Sequence, residues 1–294
     1  MTIGVYGNSY QDSHLPELRG FLAMLRESGH TLALDADFAA YLRGHGLEVS
    51  PFETVSEFPA DASLAVSLGG DGTFLQAADW VGSLQTPIMG INTGHLGYLT
   101  GFSFSDKGAV EAIRKAVAGD YEISSRMTLR VASPFLPEGF SSVALNEISV
   151  SKGDTTSMVD IKAKVDGRYL ADYLADGLVV ATPTGSTAYN LSCGGPILEP
   201  TLNAFVLSPI APHSLALRPL VIGSDSVLEL EVSSRGAECH VGVDGRTFAV
   251  PASGSKILIS KGDYRVNVVQ PVGMDFPTVL RNKLGWGVGN NFEC

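Results

Sequence analysis

The pentapeptide Gly69-Gly70-Asp71-Gly72-Thr73 constrains this chain more than any other segment. The apolar run Leu64-Ala65-Val66-Ser67-Leu68 precedes it and reads as a buried parallel strand. Phe74-Leu75-Gln76-Ala77-Ala78-Asp79-Trp80 follows and reads as the opening turns of a helix. Strand, glycine-rich turn and helix in that order predict an α/β unit with one carboxylate at the apex of the turn. Glycines let backbone approach a phosphate closely, and the free amides at a helix start favour anions. A carboxylate repels phosphate, so Asp71 needs another purpose. It either caps the helix, or serves as a general base or an indirect magnesium contact. The double glycine at a strand end weighs toward the chemical roles.

The rest of residues 1–100 alternates in the same way. Strands are expected at Ile3–Tyr6, Thr31–Leu34, Leu64–Leu68 and Pro87–Ile91, and helices at Leu15–Ser28, Ala36–Arg43 and Phe74–Val81. This rhythm predicts a parallel sheet with crossover helices, whose ligands bind beyond the carboxyl ends of the strands. After a helix at Lys107–Ala118 the texture changes to short β-rich runs. These are Met127–Ala132, Val143–Ser151, Val159–Val165, Leu178–Ala181, Val227–Val232, His240–Val243 and Tyr264–Val269, with hairpin chemistry at Asp166-Gly167 and Asp244-Gly245. The expected fold is thus an α/β N-terminal domain over residues 1–100 and an all-β, two-sheet C-terminal domain over 101–274. The tail, 275–294, is expected to pack back on the first domain.

With 45% hydrophobic and 17% charged residues among 294, the chain can bury a substantial core. Its net charge of −11 argues against extended nucleic-acid binding but not against a nucleotide held by amides and magnesium. No apolar stretch approaches the roughly 18 residues of a membrane span, and Met1-Thr2-Ile3-Gly4-Val5 lacks a basic leader. Cys193, Cys239 and Cys294 are too scattered for a disulfide framework or a thiolate zinc site. A cytoplasmic protein is expected.

Three further segments carry polar chemistry. Asn92-Thr93-Gly94-His95-Leu96-Gly97-Tyr98-Leu99 brings tight backbone to the sheet edge that holds Asp71. Ala144-Leu145-Asn146-Glu147 places two polar residues inside an apolar strand, which is costly unless both find partners. A strand-end turn could supply them. Alternatively, Asn146 can pair with an adenine edge and Glu147 can accept from a ribose diol. The longest signal runs from Asp176 through the strand Leu178–Ala181 into Thr182-Pro183-Thr184-Gly185-Ser186-Thr187-Ala188-Tyr189-Asn190-Leu191-Ser192. Its hydroxyls and turn amides can read a base edge or carboxamide, and Tyr189 offers a stacking face. A helix cap accounts for Thr184 or Ser186 but not for the whole block. The chain has neither a Gly-x4-Gly-Lys-[Ser/Thr] P-loop nor a complete Gly-x-Gly-x-x-Gly fingerprint.

Gly-Gly-Asp-Gly-Thr resembles the signature of a superfamily containing NAD kinases, diacylglycerol and sphingosine kinases, and 6-phosphofructokinases. The 92–99 loop, the Asn146-Glu147 pair and the 176–192 block together resemble NAD kinases specifically, with Tyr98 standing in for a phenylalanine. Pro212–Pro219 and Val279–Trp286 extend the likeness over most of the chain. The resemblance implies transfer of a phosphoryl group from ATP, another triphosphate or polyphosphate to the 2′-hydroxyl of the adenosine ribose of NAD, giving NADP. It implies Mg2+ with the triphosphate, and a homodimer or homotetramer whose sites are completed across subunits. Asp71 is then the catalytic residue, Gly70, Gly72, Thr73 and Phe74 bind substrate or nucleotide, and the β-phosphate region of the donor approaches the glycine turn at 69–72. Asn146 and Glu147 hold the adenosine or ribose, Asp176 and Thr184 lie at the nicotinamide end, and Thr187 and Ser192 contact adenine, with Ala188 and Tyr189 closing the pocket. The alternatives are a lipid kinase of the diacylglycerol or sphingosine type, for which no basic amphipathic face is present, and a non-catalytic NAD(P) sensor.

Overall fold

The computed structural model describes residues 1–94, 97–104, 109–153 and 157–284. His95 and Leu96 of the 92–99 loop, Lys107 and Gly108 at the start of the expected fourth helix, Gly285, Trp286 and Cys294 lie outside the described residues. The chain forms two compact units, one of Met1–Ser125 with the residues from Val266 onward, the other of Arg126–Arg265.

In the first unit, β1 (Thr2–Gly7), α1 (Leu15–Glu27), β2 (Thr31–Asp35), α2 (Ala36–Gly44), β3 (Glu53–Val55), β4 (Ala62–Leu68), α3 (Asp71–Val81), β5 (Ile88–Asn92), β6 (Phe102–Ser103) and α4 (Ala109–Val117) follow one another. Helix α1 turns Leu18, Leu22 and Leu25 onto the sheet, and Asp35 caps α2 by accepting from the Phe38 N–H. The strands pair in parallel in the order β5-β4-β1-β2-β3. Chain order therefore reverses between β1 and β4, the switch point where such sheets open a crevice at their carboxyl ends. Ile3, Val5, Leu18, Leu34, Phe38, Val66 and Ile91 fill the core beneath it.

The second unit holds β7 (Glu122–Ala132) from Arg126 on, then β8 (Val143–Ala144), β9 (Glu147–Lys152), β10 (Val159–Val165), β11 (Arg168–Ala175) and β12 (Gly177–Ala181). The short helix α5 (Tyr189–Ser192), β13 (Ala204–Ile210), β14 (Leu220–Gly223), β15 (Leu228–Val243) and β16 (Arg246–Gln270) complete it. Both Asp-Gly turns form, with φ positive at Asp166, Gly167, Asp244 and Gly245, as tight hairpins require. The two expected layers share strands rather than standing as separate sheets. β15 pairs through Leu228–Ser234 with β10 and through Cys239–Val243 with β9, with register shifts in between. Phe205, Val180, Leu207, Val241 and Ile257 are among the fully buried residues of the unit's core.

The expected single strand at Val143–Ser151 is broken between β8 and β9, for a reason found in the site. Both crossings between the units lie inside strands, at Ser125–Arg126 in β7 and Arg265–Val266 in β16. No turn or composition shift marks them, so the sequence places the boundaries nearer 100 and 274. The end of β16 runs beside β5, and α6 (Phe276–Leu284) belongs to the first unit. No helix among the described residues is long and apolar enough to cross a membrane.

Candidate active site

In the first unit, the α3 turn lies at the end of β4, on one side of the switch point. Gly70, not Asp71, is the N-cap of α3, and Asp71 opens the helix. The capping role is therefore not what Asp71 does. Its carboxylate accepts the backbone N–H of Tyr98 at 2.7 Å and of Leu99 at 3.1 Å. These bonds fix its orientation, and with the Thr100 hydroxyl donating to Oδ1 at 3.5 Å they leave a further lone pair on Oδ2. The loop can approach so closely only because residue 97 is glycine, since a Cβ there would collide with the Asp71 carboxylate. The hydroxyl of buried Thr100 sits behind, accepting from Asn92 Nδ2 at 3.1 Å and from the Gly97 N–H at 3.2 Å. The Lys283 ammonium of α6 lies 5.3 Å from the Tyr98 ring centroid, which fastens the chain's tail to this loop.

The other side of the switch point is held by residues that local sequence signals did not reveal. Asn8, just past β1, donates from Nδ2 to Thr73 Oγ1 at 2.8 Å, and Gln11 Nε2 donates to the carbonyls of Leu68 and Asn8. Gly69 has φ +150°, and a Cβ there would strike the Thr73 side chain. Thr73 is thus occupied in locking the turn. Phe74 is fully buried, so its side chain offers nothing to a ligand, and its N–H already bonds the Gly70 carbonyl. Gly70 and Gly72 have open space where a side chain would be, which leaves the turn's backbone approachable.

In the second unit the structure brings together Asn146, Glu147, Thr184, Thr187, Ala188 and Tyr189. The Thr182 N–H donates to the Asn146 carbonyl at 2.9 Å, and the Thr182 hydroxyl donates to the Leu145 carbonyl at 2.6 Å. Gly185 lies so close to the Asn146 backbone that no Cβ would fit. Asn190 is buried, accepting from Ser208 and donating to the carbonyls of Ser186 and Pro196, so it shapes the turn rather than the ligand. The Thr187 hydroxyl donates to the Thr184 carbonyl, while Ser192 is exposed at the end of α5. Asp176 approaches this group from the other end of β12, and burial, with the charges of Cys193, Glu147 and Asp176, raises the Tyr189 phenol. Asp176 also bonds Lys152 Nζ at 2.7 Å.

Two buried oxygens in this unit have no partner among the described residues, Glu147 Oε2 and Thr184 Oγ1. Burial and then the charge of Asp244 push the Glu147 carboxyl up to about 7, although the Tyr189 N–H bonding to it works the other way. Buried acceptors without a partner are what a bound ligand's hydroxyls would satisfy. Burial raises the Cys193 thiol, so it is not poised as a nucleophile, and Cys239 is buried and free.

A glycine-rich turn at a sheet switch point, in one chain with a β-rich unit offering these acceptors, is the equipment of a phosphoryl-transfer enzyme that handles a nucleotide without a P-loop. The comparisons make the class specific. Residues 40–121 match the ATP-NAD kinase N-terminal domain and residues 145–271 the ATP-NAD kinase C-terminal domain. NAD kinases of Porphyromonas gingivalis and Christiangramia forsetii are 38% and 36% identical to this chain, over 97% and 98% of it and 98% of each relative. The NAD kinase of Archaeoglobus fulgidus, solved in complex with ATP, matches with a TM-score of 0.70 at 28% identity, covering 97% of this chain and 98% of that one. Yeast NADH kinase, solved with NADH, shares the fold with a TM-score of 0.85 at 24% identity, covering 100% of this chain and 90% of its own. The chain belongs to the NAD kinase family.

The Glu147 carboxyl makes a testable link between site and stability. Its ordinary value of 4.5 holds in the unfolded chain, against about 7 in the fold. Between those values the folded state binds more protons, so stability falls as pH rises from 4.5 to 7. Glu147→Gln removes that loss. Urea unfolding should show the variant more stable than the parent by as much as about 3 kcal/mol above pH 7. The difference should vanish below pH 4.5, and a gain that is independent of pH would refute the assignment.

Proposed function

We propose that this protein is an NAD kinase, moving the terminal phosphoryl group of a nucleoside triphosphate to the 2′-hydroxyl of the adenosine ribose of NAD. The observation that carries this reading is the full-length likeness to NAD kinases, which spans both units. A lipid-kinase or sensor reading has no counterpart in those relatives.

Asp71 acts as the general base. It takes the proton of the 2′-hydroxyl as that oxygen bonds to the terminal phosphorus, and the bond from phosphorus to the bridging oxygen breaks to release the diphosphate. The fixed carboxylate supports this role, because a base held by two backbone amides has one orientation to present. The backbone of Gly70 and Gly72 receives the donor's phosphates. Glu147 accepts from the ribose diol, Asn146 meets the adenine edge, and Thr184 contributes its free hydroxyl. We assign magnesium as the divalent metal, held on the donor's phosphates as is usual for phosphoryl-transfer enzymes. A cytoplasmic location agrees with the free thiols of Cys193 and Cys239.

We also assign a homodimer or homotetramer. Tyr189 is 45% exposed on a four-residue helix, an open edge that a second copy would close. Sedimentation of dilute protein alongside activity tests this, with activity expected to fall as the oligomer dissociates. Fully active monomers would refute it.

The test of the central reading is NADP formation from NAD and magnesium–ATP, lost with a chelator and restored by magnesium. Asp71→Asn keeps the size of the side chain but removes the proton acceptor, so kcat should fall about 10²–10⁴-fold. Melting temperature should fall modestly, because the Asn amide group faces one of the N–H groups of Tyr98 and Leu99, while NAD affinity stays near that of the parent. A near-normal rate in the variant would eliminate the base role, and no NADP from the parent with any triphosphate would overturn the function.

A further inference from the structure

The hairpin residue Asp244 does something that an Asp-Gly turn does not require. Its φ of +47° is ordinary for the first central position of this turn, and its carboxylate could simply face water. Instead Oδ2 accepts the Leu145 N–H at 2.7 Å, and Oδ1 accepts the N–H groups of Asn146 at 2.8 Å and Glu147 at 3.1 Å. Its own N–H returns to the Glu147 carbonyl at 3.1 Å, which closes a ring between the hairpin and the start of β9. Three consecutive amides are thereby withdrawn from strand pairing, and the strand expected at Val143–Ser151 is interrupted at Leu145-Asn146 for that reason.

We propose that Asp244 is the positioning residue for the Asn146-Glu147 pair, setting the backbone from which both side chains reach the dinucleotide. The inference rests on the proposed NAD-kinase function only for the identity of the ligand. The geometry itself is independent of it.

Position and charge act together here. The groups facing Glu147 are the Asp244 carboxylate from the hairpin, and the Tyr189 N–H and phenol and the Cys193 thiol from the α5 segment. Asp244 in turn faces Arg246. The like charge of Asp244 is the second cause, after burial, of the raised Glu147 carboxyl. Asp244 therefore does two things to its neighbour. It holds the backbone in place, and it makes the side chain protonate nearer neutrality. Since Glu147 accepts from a diol as the carboxylate, its grip weakens as pH falls through about 7. A residue that only stabilised the hairpin would have no bearing on that pH dependence.

The experiment compares the parent with Asp244→Asn, which tolerates the same turn but carries no charge and exposes an amide group to one of the backbone donors. In the full-length protein the KM for NAD should rise about tenfold or more, while kcat and the KM for magnesium–ATP change much less. The pH at which the NAD KM begins to climb should move downward. An unchanged NAD KM, or an unmoved pH midpoint, would overturn the proposal. Hydrogen exchange gives a second measurement that needs neither turnover nor the variant's folding. In the parent, the amides of Leu145, Asn146 and Glu147 should be as protected as those of the paired strand β9, and rapid exchange at the three would overturn the proposal. A parent that makes no NADP yet shows these amides protected would fail as an NAD kinase while the positioning stands.

Discussion

A backbone N–H that leaves a strand or helix ladder without gaining an acceptor costs about 1–3 kcal/mol, and at the candidate site of each unit a carboxylate meets that demand. Asp71 takes the amides of Tyr98 and Leu99, and Asp244 takes those of Leu145, Asn146 and Glu147. The carboxylates satisfy loops that no sheet could serve, and the loops in return fix where polar side chains stand. Much of the candidate site follows from these five bonds. In one case the carboxylate itself is the chemical group, and in the other it is the support beneath the chemical groups.

Close packing of backbone is the companion constraint. Gly97 lets its loop reach Asp71, and Gly185 lets the hydroxyl-rich turn lie on Asn146. A methyl group at either would part segments that carry the site. The two positions differ from the glycines of the α3 turn itself. Gly70 and Gly72 have open space around them, so their lack of side chains keeps the turn approachable from outside rather than serving the interior. The fold thus spends glycine in two ways, inside to bring chain to chain and outside to bring chain to ligand.

Some of this was written locally. The alternation of apolar strands and amphipathic helices up to residue 100, the two Asp-Gly hairpins and the Gly-Gly-Asp-Gly-Thr turn were all legible, because period and turn chemistry are near-neighbour properties. Asn8, Gln11, Thr100 and Asp244 were not legible as site residues. Asn8 meets Thr73 across 65 positions of sequence, Gln11 meets Leu68 across 57, and Asp244 meets the 145–147 segment across 97 to 99. Asp244 was visible only as a turn former, since its φ is local but its acceptors are not. Phe74 shows the converse. It adjoins the motif in sequence, yet the helix turns it into the core.

The amino-acid sequence by itself determined the kind of chain this is: an α/β unit with a phosphate-type turn, a β-rich unit with an Asn-Glu pair and a hydroxyl-rich block, and a likeness to NAD kinases. Those features depend on residues within a few positions of one another. The tertiary structure alone decided that Asp71 opens its helix rather than capping it. It also decided that β1 and β4 flank the switch point, and that Asp244 lies beneath Glu147 and raises its carboxyl. The reason is physical. Burial, hydrogen bonding and charge–charge interaction act through space over a few ångströms, and the groups that meet at such distances here are separated by tens of residues along the chain.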